Sequence, residues 1–409
     1  MDRSAPLTGM RIVEVSAFIA APLGAMTLAQ LGAEVIRIDP IGGNIDYKRW
    51  PLASNGNSIY WASLNKGKKS VTLALDTPEG QDLARAIMCA PGPNAGIVLT
   101  NLPAKGWMSY EALARQRADL IMMRLVGNFD GSAAMDYTIN CASGFPIATG
   151  PNKDPVNHVL PAWDISAGLY LTVGLLAAER ARRLESIGQE VVLALSDVML
   201  ATVANLGYVA DVQINGSSRE PMGNDLYGAF GRNFTTADKR EVMLVAISDR
   251  QWKAIGKATG LTPRFEMIGP LMDVDLSSEG GRFAARHIIA AVLEPWFAAR
   301  VLDEIKTTFD RTGVLWGIYQ DFTQLVKEDP RCSTANPLFG DIRQPGLGRI
   351  LSARGPLAFN SSATLPPSAA PILGSNTASV LKELIGLSPP EIRRLHDQGI
   401  IGDMQEGMT

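Results

Sequence analysis

Short apolar runs alternate with helix-like segments along the first third of the chain. The runs are rich in β-branched residues, as buried strands are, and occupy residues 10–15, 33–38, 69–75, 95–100 and 120–126. Between the first two runs lies a small-residue segment with Pro22 near its start and Gly32 after its end, as expected for a helix. This order predicts an α/β fold, Rossmann-like, with a parallel sheet and helices on its faces.

The carboxyl ends of these strands predict where a ligand binds. In open parallel sheets ligands lie beyond the strand carboxyl ends, so the five loops that follow the runs should meet near one site. The first of these loops, residues 16–22, reads Ser-Ala-Phe-Ile-Ala-Ala-Pro and has no GxGxxG sequence. The sequence therefore does not indicate a dinucleotide-binding fingerprint.

The chain has 409 residues, which is more than one ordinary domain. Residues 216–225 are rich in Gly, Ser, Pro and charge, and we interpret them as a linker. The following region predicts a smaller α+β domain, with a strand at residues 240–247 and helices at residues 249–260, 282–299 and 303–312. We predict a large domain at residues 1–215, a small domain at 216–330, and a return to the large domain at 331–409, with a last helix at 389–398.

Composition narrows the classes of function. The chain is 46% hydrophobic and 19% charged, with a formal net charge of −3, which is typical of a globular protein. No basic stripe indicates nucleic acid, and no apolar run has the length of a membrane span. The first residues lack a signal-peptide hydrophobic region. We expect a cytoplasmic protein that binds neither nucleic acid nor membrane.

Cysteines and histidines are few and scattered. The three cysteines are Cys89, Cys141 and Cys332, and the three histidines are His158, His287 and His396. Their spacing matches neither a disulfide framework nor a metal site. A Ser-His-Asp triad would need a nucleophile elbow, and no GxSxG sequence is present. We therefore expect no metal, and we expect acid chemistry to depend on carboxylates.

Asp164 is the most informative carboxylate. It stands between the apolar residues 159–163 and a nearly continuous apolar segment at residues 168–178 that predicts a helix. One interpretation of the local sequence is that Asp164 is the N-cap of this helix, because Asp is a favoured capping residue. The alternative is a functional acid, because a carboxylate at the start of a buried helix is costly unless it is paired or used.

Ordered sequence matches decide between these two readings. They lie at residues 7–15, 21–22 and 28–40, at 65–73 and 78–80, around Asp164 with 174–178 and 188–189, at 313–314 and 328–330, and at 387–401. Together they resemble the class III CoA-transferase family over nearly the whole chain. Residues 39–50, 157–164 and 224–232 further resemble members that move CoA between two carboxyl groups of one diacid. The resemblance implies that Asp164 is the nucleophile.

The family resemblance also implies a ligand and an assembly. It implies an acyl-CoA substrate with CoA bound only as part of that substrate, no tightly bound cofactor, and an interlocked homodimer. The positions that match CoA-lining segments are Phe18, Ile19, Ala20, Arg37, Leu73, Ala74, Leu75, Asn101 and Leu102. Two departures stand out: Ala21 replaces a common glycine, and Leu102-Pro103 replaces a Phe-containing loop sequence.

Several side chains have two interpretations. Arg37, Lys68 and Lys69 either contact CoA phosphates or are solvated charges. Arg49 either binds the free carboxylate of the substrate or is an ordinary surface arginine. His158 either orients the substrate or is structural.

Two other classes of function share parts of this pattern. An α-methylacyl-CoA racemase shares the family but needs a His paired with its Asp, and residues 127–130 here read Gly-Asn-Phe-Asp. A non-catalytic CoA-thioester-binding protein would have no need of an acid at a buried helix start. Within the transferase reading, the acceptor is either the second carboxyl of the same substrate, which we predict, or a separate dicarboxylic acid.

Overall fold

The computed structural model of the chain describes residues 3–150, 152 and 154–402, and they form two compact units. The first unit comprises the described residues up to Ser143, Val159–Ala210, and those from Pro330 onward. The second comprises the described residues of Gly144–His158 together with Asp211–Asp329. The segment 144–158, which the sequence analysis placed in the large domain, thus groups with the smaller unit.

A six-stranded parallel sheet forms the centre of the first unit, in the order β3-β2-β1-β4-β5-β6. Its strands are β1 (Arg11–Val15), β2 (Glu34–Pro40), β3 (Lys69–Leu73), β4 (Ile97–Thr100), β5 (Ile121–Val126) and β6 (Gln189–Ala194). The predicted α/β Rossmann-like fold is confirmed. β4 begins two residues later than predicted, because Gly96 has a φ of 68° and cannot belong to an extended strand.

Helices of the first unit pack against this sheet. They are α1 (Ala20–Gln30), α2 (Ile59–Leu64), α3 (Pro78–Cys89), α4 (Tyr110–Ala114), α5 (Asp136–Ala142), α7 (Ala162–Glu185), α8 (Leu195–Asn205), α16 (Thr377–Val380) and α17 (Pro389–Asp397); α6 (Phe145–Thr149) belongs to the second unit and α9 (Tyr208–Asn215) begins in the first. Gly32 ends the first βαβ helix as predicted, with a φ of 103°. The helix that begins at Pro78 is capped by Thr77, whose side chain accepts from the Gly80 N–H.

Helices α1 and α7 meet at their backbones. A Cβ on Gly24 would lie 2.7 Å from the Gly168 carbonyl oxygen, and a Cβ on Gly168 would lie 2.7 Å from the Ala20 carbonyl oxygen. The Thr172 hydroxyl also donates to the Gly24 carbonyl at 3.3 Å. Glycine is therefore required on both helices for this close approach.

The C-terminal residues complete the core of the first unit. Val380, Leu381, Ile392 and Leu395 are buried against apolar side chains of the sheet and of α3. A two-stranded antiparallel sheet, β10 (Phe339–Gln344) and β11 (Gly348–Ala353), precedes them. The chain thus returns to the first unit, and its described residues from 331 to 402 do not form a separate compact unit.

The second unit contains a three-stranded antiparallel sheet, β7 (Phe230–Thr235), β8 (Glu241–Ala246) and β9 (Leu315–Ile318). Its further helices are α10 (Asp249–Thr259), α11 (Thr262–Met272), α12 (Glu279–Ala284), α13 (Arg286–Ala298), α14 (Leu302–Phe309) and α15 (Phe322–Glu328). The single helix predicted over residues 282–299 is two helices that meet at Ala285. An aromatic core, with Phe234 and Phe297 stacked at 4.5 Å, holds the sheet and helices together.

Two further findings concern membranes and metals. Over the described residues, no helix by itself combines the length and apolarity that a membrane crossing requires; α8 and α9 meet that test only as a bent pair. Within the same residues, no three His, Cys, Asp or Glu side chains are grouped so that they could hold a metal ion.

Candidate active site

The site lies at the point where the strand order of the sheet reverses. Strands β1 and β4 are neighbours there, and the chain leaves them toward opposite sides of the sheet. The two following loops are tied together by Asn101, whose amide donates to the Ala17 carbonyl at 2.7 Å and accepts from the Ala17 N–H at 2.9 Å. This reciprocal pair fixes the loop that carries Phe18, Ile19 and Ala20.

Phe18 has a left-handed backbone conformation, with a φ of 67°, which is unusual for a residue with a bulky side chain. Its N–H donates to the Asp46 carboxylate at 3.2 Å. Asp46 is itself buried and accepts from the Arg37 guanidinium at 3.2 Å. The surrounding structure therefore holds Phe18 in a strained conformation at the edge of the site, as is common at functional sites.

Arg37 lies beneath the site and not on its surface. Its side chain is 1% exposed and is directed at Glu14, Asp39 and Asp46. Burial by itself would lower the pKa of Arg37, but the Asp39 and Glu14 carboxylates outweigh it and raise that pKa, so the guanidinium stays charged. In this structure Arg37 has no donor to offer a phosphate, in contrast to the predicted CoA contact.

Lys68 belongs to the same buried network. Its ammonium lies 2.7 Å from the Glu14 carboxylate and donates to the Pro22 carbonyl at 3.0 Å. Burial lowers its pKa to about 8, partly opposed by Glu14. Lys69 instead pairs with Glu34 at 2.7 Å on the partly exposed rim of the sheet. Neither lysine is placed as a phosphate contact by this geometry.

Asp164 is the third residue of α7, so it is not the helix cap. That role belongs to Asp136, the first residue of α5. One Asp136 carboxylate oxygen accepts from the N–H of Trp163 at 2.8 Å and from the N–H of Asp164 at 2.9 Å. The Asp164 carboxylate is thereby freed from capping, and the N-cap interpretation is wrong for a physical reason: a second acid satisfies the first turn.

The environment of Asp164 makes its carboxylate unusually basic. Burial, the largest cause, and the nearby Asp136 carboxylate together raise the pKa of Asp164 to about 7 against the opposing charge of Arg49. Asp136 is only 3% exposed, so its charge acts through little solvent. A carboxyl group poised near neutral pH combines nucleophilicity with an available ionised form, which favours a role in catalysis.

A cavity of about 300 Å³ opens in front of Asp164, at the lower end of the range for small-molecule pockets. It brings together six predicted residues, namely Phe18, Ile19, Ala20, Arg49, Asn101 and Asp164. The rest of the lining, which the sequence analysis missed, is Tyr60, Leu125, Val126, Gly127, Ala134, Met135, Asp136, Tyr137 and Leu195. All of these residues belong to the first unit.

The remaining predicted contacts lie elsewhere. Leu73 and Ala74 are buried at the end of β3, and Leu75 and Leu102 pack against the core of the first unit. His158 is half-buried and belongs to the second unit. Apart from that histidine, these positions surround the strand ends without lining the cavity.

Two missed residues had weak signals in the sequence. Tyr60 follows Ser58, whose side chain caps α2 by accepting from the Trp61 N–H, so a helix start was recognisable there. Asp136 follows a Gly-Ser-Ala-Ala-Met segment that ends the loop after β5. Neither pattern reveals that both side chains line the same cavity as Asp164, because that arrangement depends on long-range packing.

The fold and the site define a class of protein. The sequence matches the family model described as CoA-transferase family III over residues 7–377, and the chain belongs to that family. The family membership and the class of enzyme predicted from the sequence are confirmed.

Particular relatives narrow the comparison. A 2-methylfumaryl-CoA isomerase from Chloroflexus aurantiacus is 53% identical, with 97% of each chain covered. A succinyl-CoA–D-citramalate CoA-transferase from the same organism is 24% identical and covers 97% of this chain and 98% of its own length. A CAIB/BAIF family protein from Brucella suis superimposes with a TM-score of 0.77 at 24% identity, with 93% and 100% of the chains covered, which shows the shared fold.

Proposed function

We propose that this enzyme moves CoA from the C1 to the C4 carboxyl group of 2-methylfumarate (mesaconate), within one substrate molecule. The observation that carries the proposal is the cavity that joins a basic Asp164 carboxylate to the Arg49 cation. A diacid needs both features: one reacting carboxyl at the acid and one free carboxylate near a positive charge. The 53% identity to a protein named 2-methylfumaryl-CoA isomerase supports this substrate.

The first half of the reaction releases the diacid from CoA. The Asp164 carboxylate attacks the C1 thioester carbonyl, and the C–S bond breaks to give a mixed anhydride and CoA thiolate. The thiolate then attacks the aspartyl carbonyl of the anhydride. This step forms an aspartyl-CoA thioester and frees 2-methylfumarate as its dianion, with no net proton transfer.

The second half reverses these steps with the other end of the diacid. The C4 carboxylate attacks the aspartyl thioester, giving a new anhydride and the thiolate again. The thiolate attacks the C4 carbonyl, which forms the product thioester and restores the Asp164 carboxylate. Each step exchanges acyl groups of similar energy, and retention of the diacid in the cavity keeps its effective concentration high.

Isotope mixing tests whether the transfer is intramolecular. Labelled 2-methylfumaryl-C1-CoA is incubated alone and beside a large excess of unlabelled 2-methylfumarate, and the C4 thioester is analysed by mass spectrometry. We expect the label to be retained in both samples, because the released diacid turns within a cavity of about 300 Å³ without exchanging with solvent. Dilution of the label to the level of the free pool would establish transfer to a separate acid instead.

The pH dependence of kcat/KM should report the pKa of Asp164. Because the nucleophile is the ionised form, activity rises with pH through about 7. Asp136→Asn removes the neighbouring negative charge while keeping an oxygen that accepts from the helix N–H groups. The midpoint of the acid limb should therefore fall by about one pH unit, since loss of a close like charge favours ionisation of Asp164.

The matched control for that experiment is Asp130→Asn, which removes an exposed acid from the loop before α5. Its pH profile should coincide with that of the wild type. An Asp136→Asn profile that also coincides would show that Asp136 does not tune Asp164.

The homodimer stays a prediction. Along α7 the large apolar side chains of Leu169, Tyr170 and Val173 are at least half exposed, and Leu200 on α8 is 54% exposed. Exposed apolar side chains in such number are typical of surfaces that a second chain covers, which supports the proposed assembly.

A further inference from the structure

Tyr60 carries a hydroxyl group that no described residue of the protein hydrogen-bonds. The ring lines the cavity from the first turn of α2, and among the described residues its buried hydroxyl has no hydrogen-bond partner. Burial raises the pKa of Tyr60 to about 12, so the group stays a neutral O–H donor at physiological pH. A buried hydroxyl without a partner is costly, which indicates that a ligand supplies the acceptor.

Arg49 lies against the same tyrosine. Its guanidinium carbon is 5.4 Å from the centroid of the Tyr60 ring and 5.4 Å from that of the Phe18 ring. Arg49 is exposed, and across the described part of the chain it is in no ion pair. Two aromatic faces therefore hold the cation in place, while its N–H groups remain available to an anion.

We propose that Tyr60 is a specificity-determining residue whose O–H, together with the Arg49 guanidinium, binds the substrate carboxylate that is not joined to CoA. The inference rests on the proposed function, because it names the contact that selects a diacid thioester. Arg49 supplies charge, and Tyr60 supplies a directed donor. The cavity already contains the acids Asp136 and Asp164, so a further buried carboxylate needs both.

The same pair serves both halves of the reaction. When the C1 carboxyl group is bonded to Asp164, the C4 carboxylate is the free anion. When the C4 carboxyl group is bonded to Asp164, the C1 carboxylate is the free anion. The two carboxyl carbons of 2-methylfumarate are separated by the same rigid double bond in either orientation. A single anion site at a fixed distance from Asp164 therefore holds the diacid before and after it turns.

A pair of thioesters tests the proposal. One is 2-methylfumaryl-C1-CoA, and the other is 2-methylbut-2-enoyl-CoA of the same double-bond geometry, whose C4 is a methyl group instead of a carboxylate. Binding is measured by calorimetry in the Asp164→Asn background, so that neither thioester is turned over. Tyr60→Phe should weaken binding of the diacid thioester at least about tenfold, the effect of losing a hydrogen bond to a charged group, and leave binding of the methyl analogue unchanged.

The matched control is Tyr47→Phe. Tyr47 is a half-buried tyrosine that packs edge-on against Trp61 at 5.2 Å and does not line the cavity. Tyr47→Phe should change neither the affinity for the diacid thioester nor that for the methyl analogue. An equal loss for both thioesters in Tyr60→Phe, or no loss for either, would overturn the specificity role.

Wild-type turnover separates this inference from the proposed function. Suppose that the wild type converts 2-methylfumaryl-C1-CoA to the C4 thioester, and that Tyr60→Phe still prefers the diacid thioester over the methyl analogue as strongly as the protein with Tyr60 does. The inference then fails and the proposed function stands. If the wild type produces no C4 thioester, the proposed function itself fails.

Discussion

Asp164→Asn should lower kcat by at least about a thousandfold, because the amide that replaces the carboxylate cannot form the anhydride and the aspartyl thioester. Affinity for the CoA thioester should persist, since the amide has nearly the size of the carboxylate. Turnover is measured by the appearance of the C4 thioester, and binding by calorimetry. With wild-type enzyme and substrate, mass spectrometry after hydroxylamine treatment should find the modification on Asp164.

The matched control is Asp197→Asn. Asp197 is also the third residue of its helix, α8, but its side chain is exposed. Full activity is expected in this variant. Retention of activity in Asp164→Asn would exclude an aspartyl intermediate at that residue.

Asp164→Asn should also stabilise the folded protein, by an amount that depends on pH. The pKa of Asp164 in the folded protein is about 7, above its ordinary value of 3.8, so folding favours the protonated form. Stability is therefore lost as pH rises from about 4 to 7, and the loss is complete above 7. Relative to the wild type, Asp164→Asn should gain at most about 4 kcal/mol in the free energy of unfolding at pH 8 and little at pH 4.

Arg37→Met should lower the free energy of unfolding by about 3–5 kcal/mol, because it leaves buried carboxylates without their counter-charge. Three of them, Glu14, Asp39 and Asp46, lie within 3.4 Å of the guanidinium and are at most 2% exposed in their side chains. Urea denaturation at neutral pH measures the change. Near pH 3 the deficit should shrink, because burial raises the pKa of Asp39 and that carboxyl is then protonated.

Arg124→Met provides the comparison on the same sheet. Arg124 pairs with Glu190 at 2.9 Å, but both side chains are more than a quarter exposed. A solvated pair of this kind contributes at most about 1 kcal/mol. Equal destabilisation by the two substitutions would show that the network around Arg37 is not the structural support of the Phe18 loop.

The sequence predicted the sheet well and the site in part. Strand positions follow from β-branched runs and bounding glycines, which are local signals, so the first five strands were placed to within two residues. Asp164 was identified through ordered matches to a family. Its true local role was not predictable, because the residue that caps α7 is Asp136, which lies 28 positions earlier in the sequence.

Charged residues were harder to assign than apolar ones. Arg37 and Lys68 are basic residues, the type that binds phosphate. In the structure, however, both are buried in ion pairs beneath the loops at the strand ends. A sequence shows that a residue carries a charge but not the direction in which its side chain points. For Tyr60 the decisive feature is an unpaired buried hydroxyl, which only a three-dimensional packing arrangement can create.

Engineering of the acyl cavity is limited by the contact between Gly24 and Gly168. With 2.7 Å between a new Cβ and the opposing carbonyl oxygen, neither helix can carry even an alanine at that contact without moving. The wall at Ala20, where α1 begins, and the nucleophile in the first turn of α7 therefore move as one block. A library aimed at larger or longer diacids should leave both glycines intact, keep Arg49 and Tyr60 for the free carboxylate, and vary the side chains at Met135 and Tyr137, which also line the cavity.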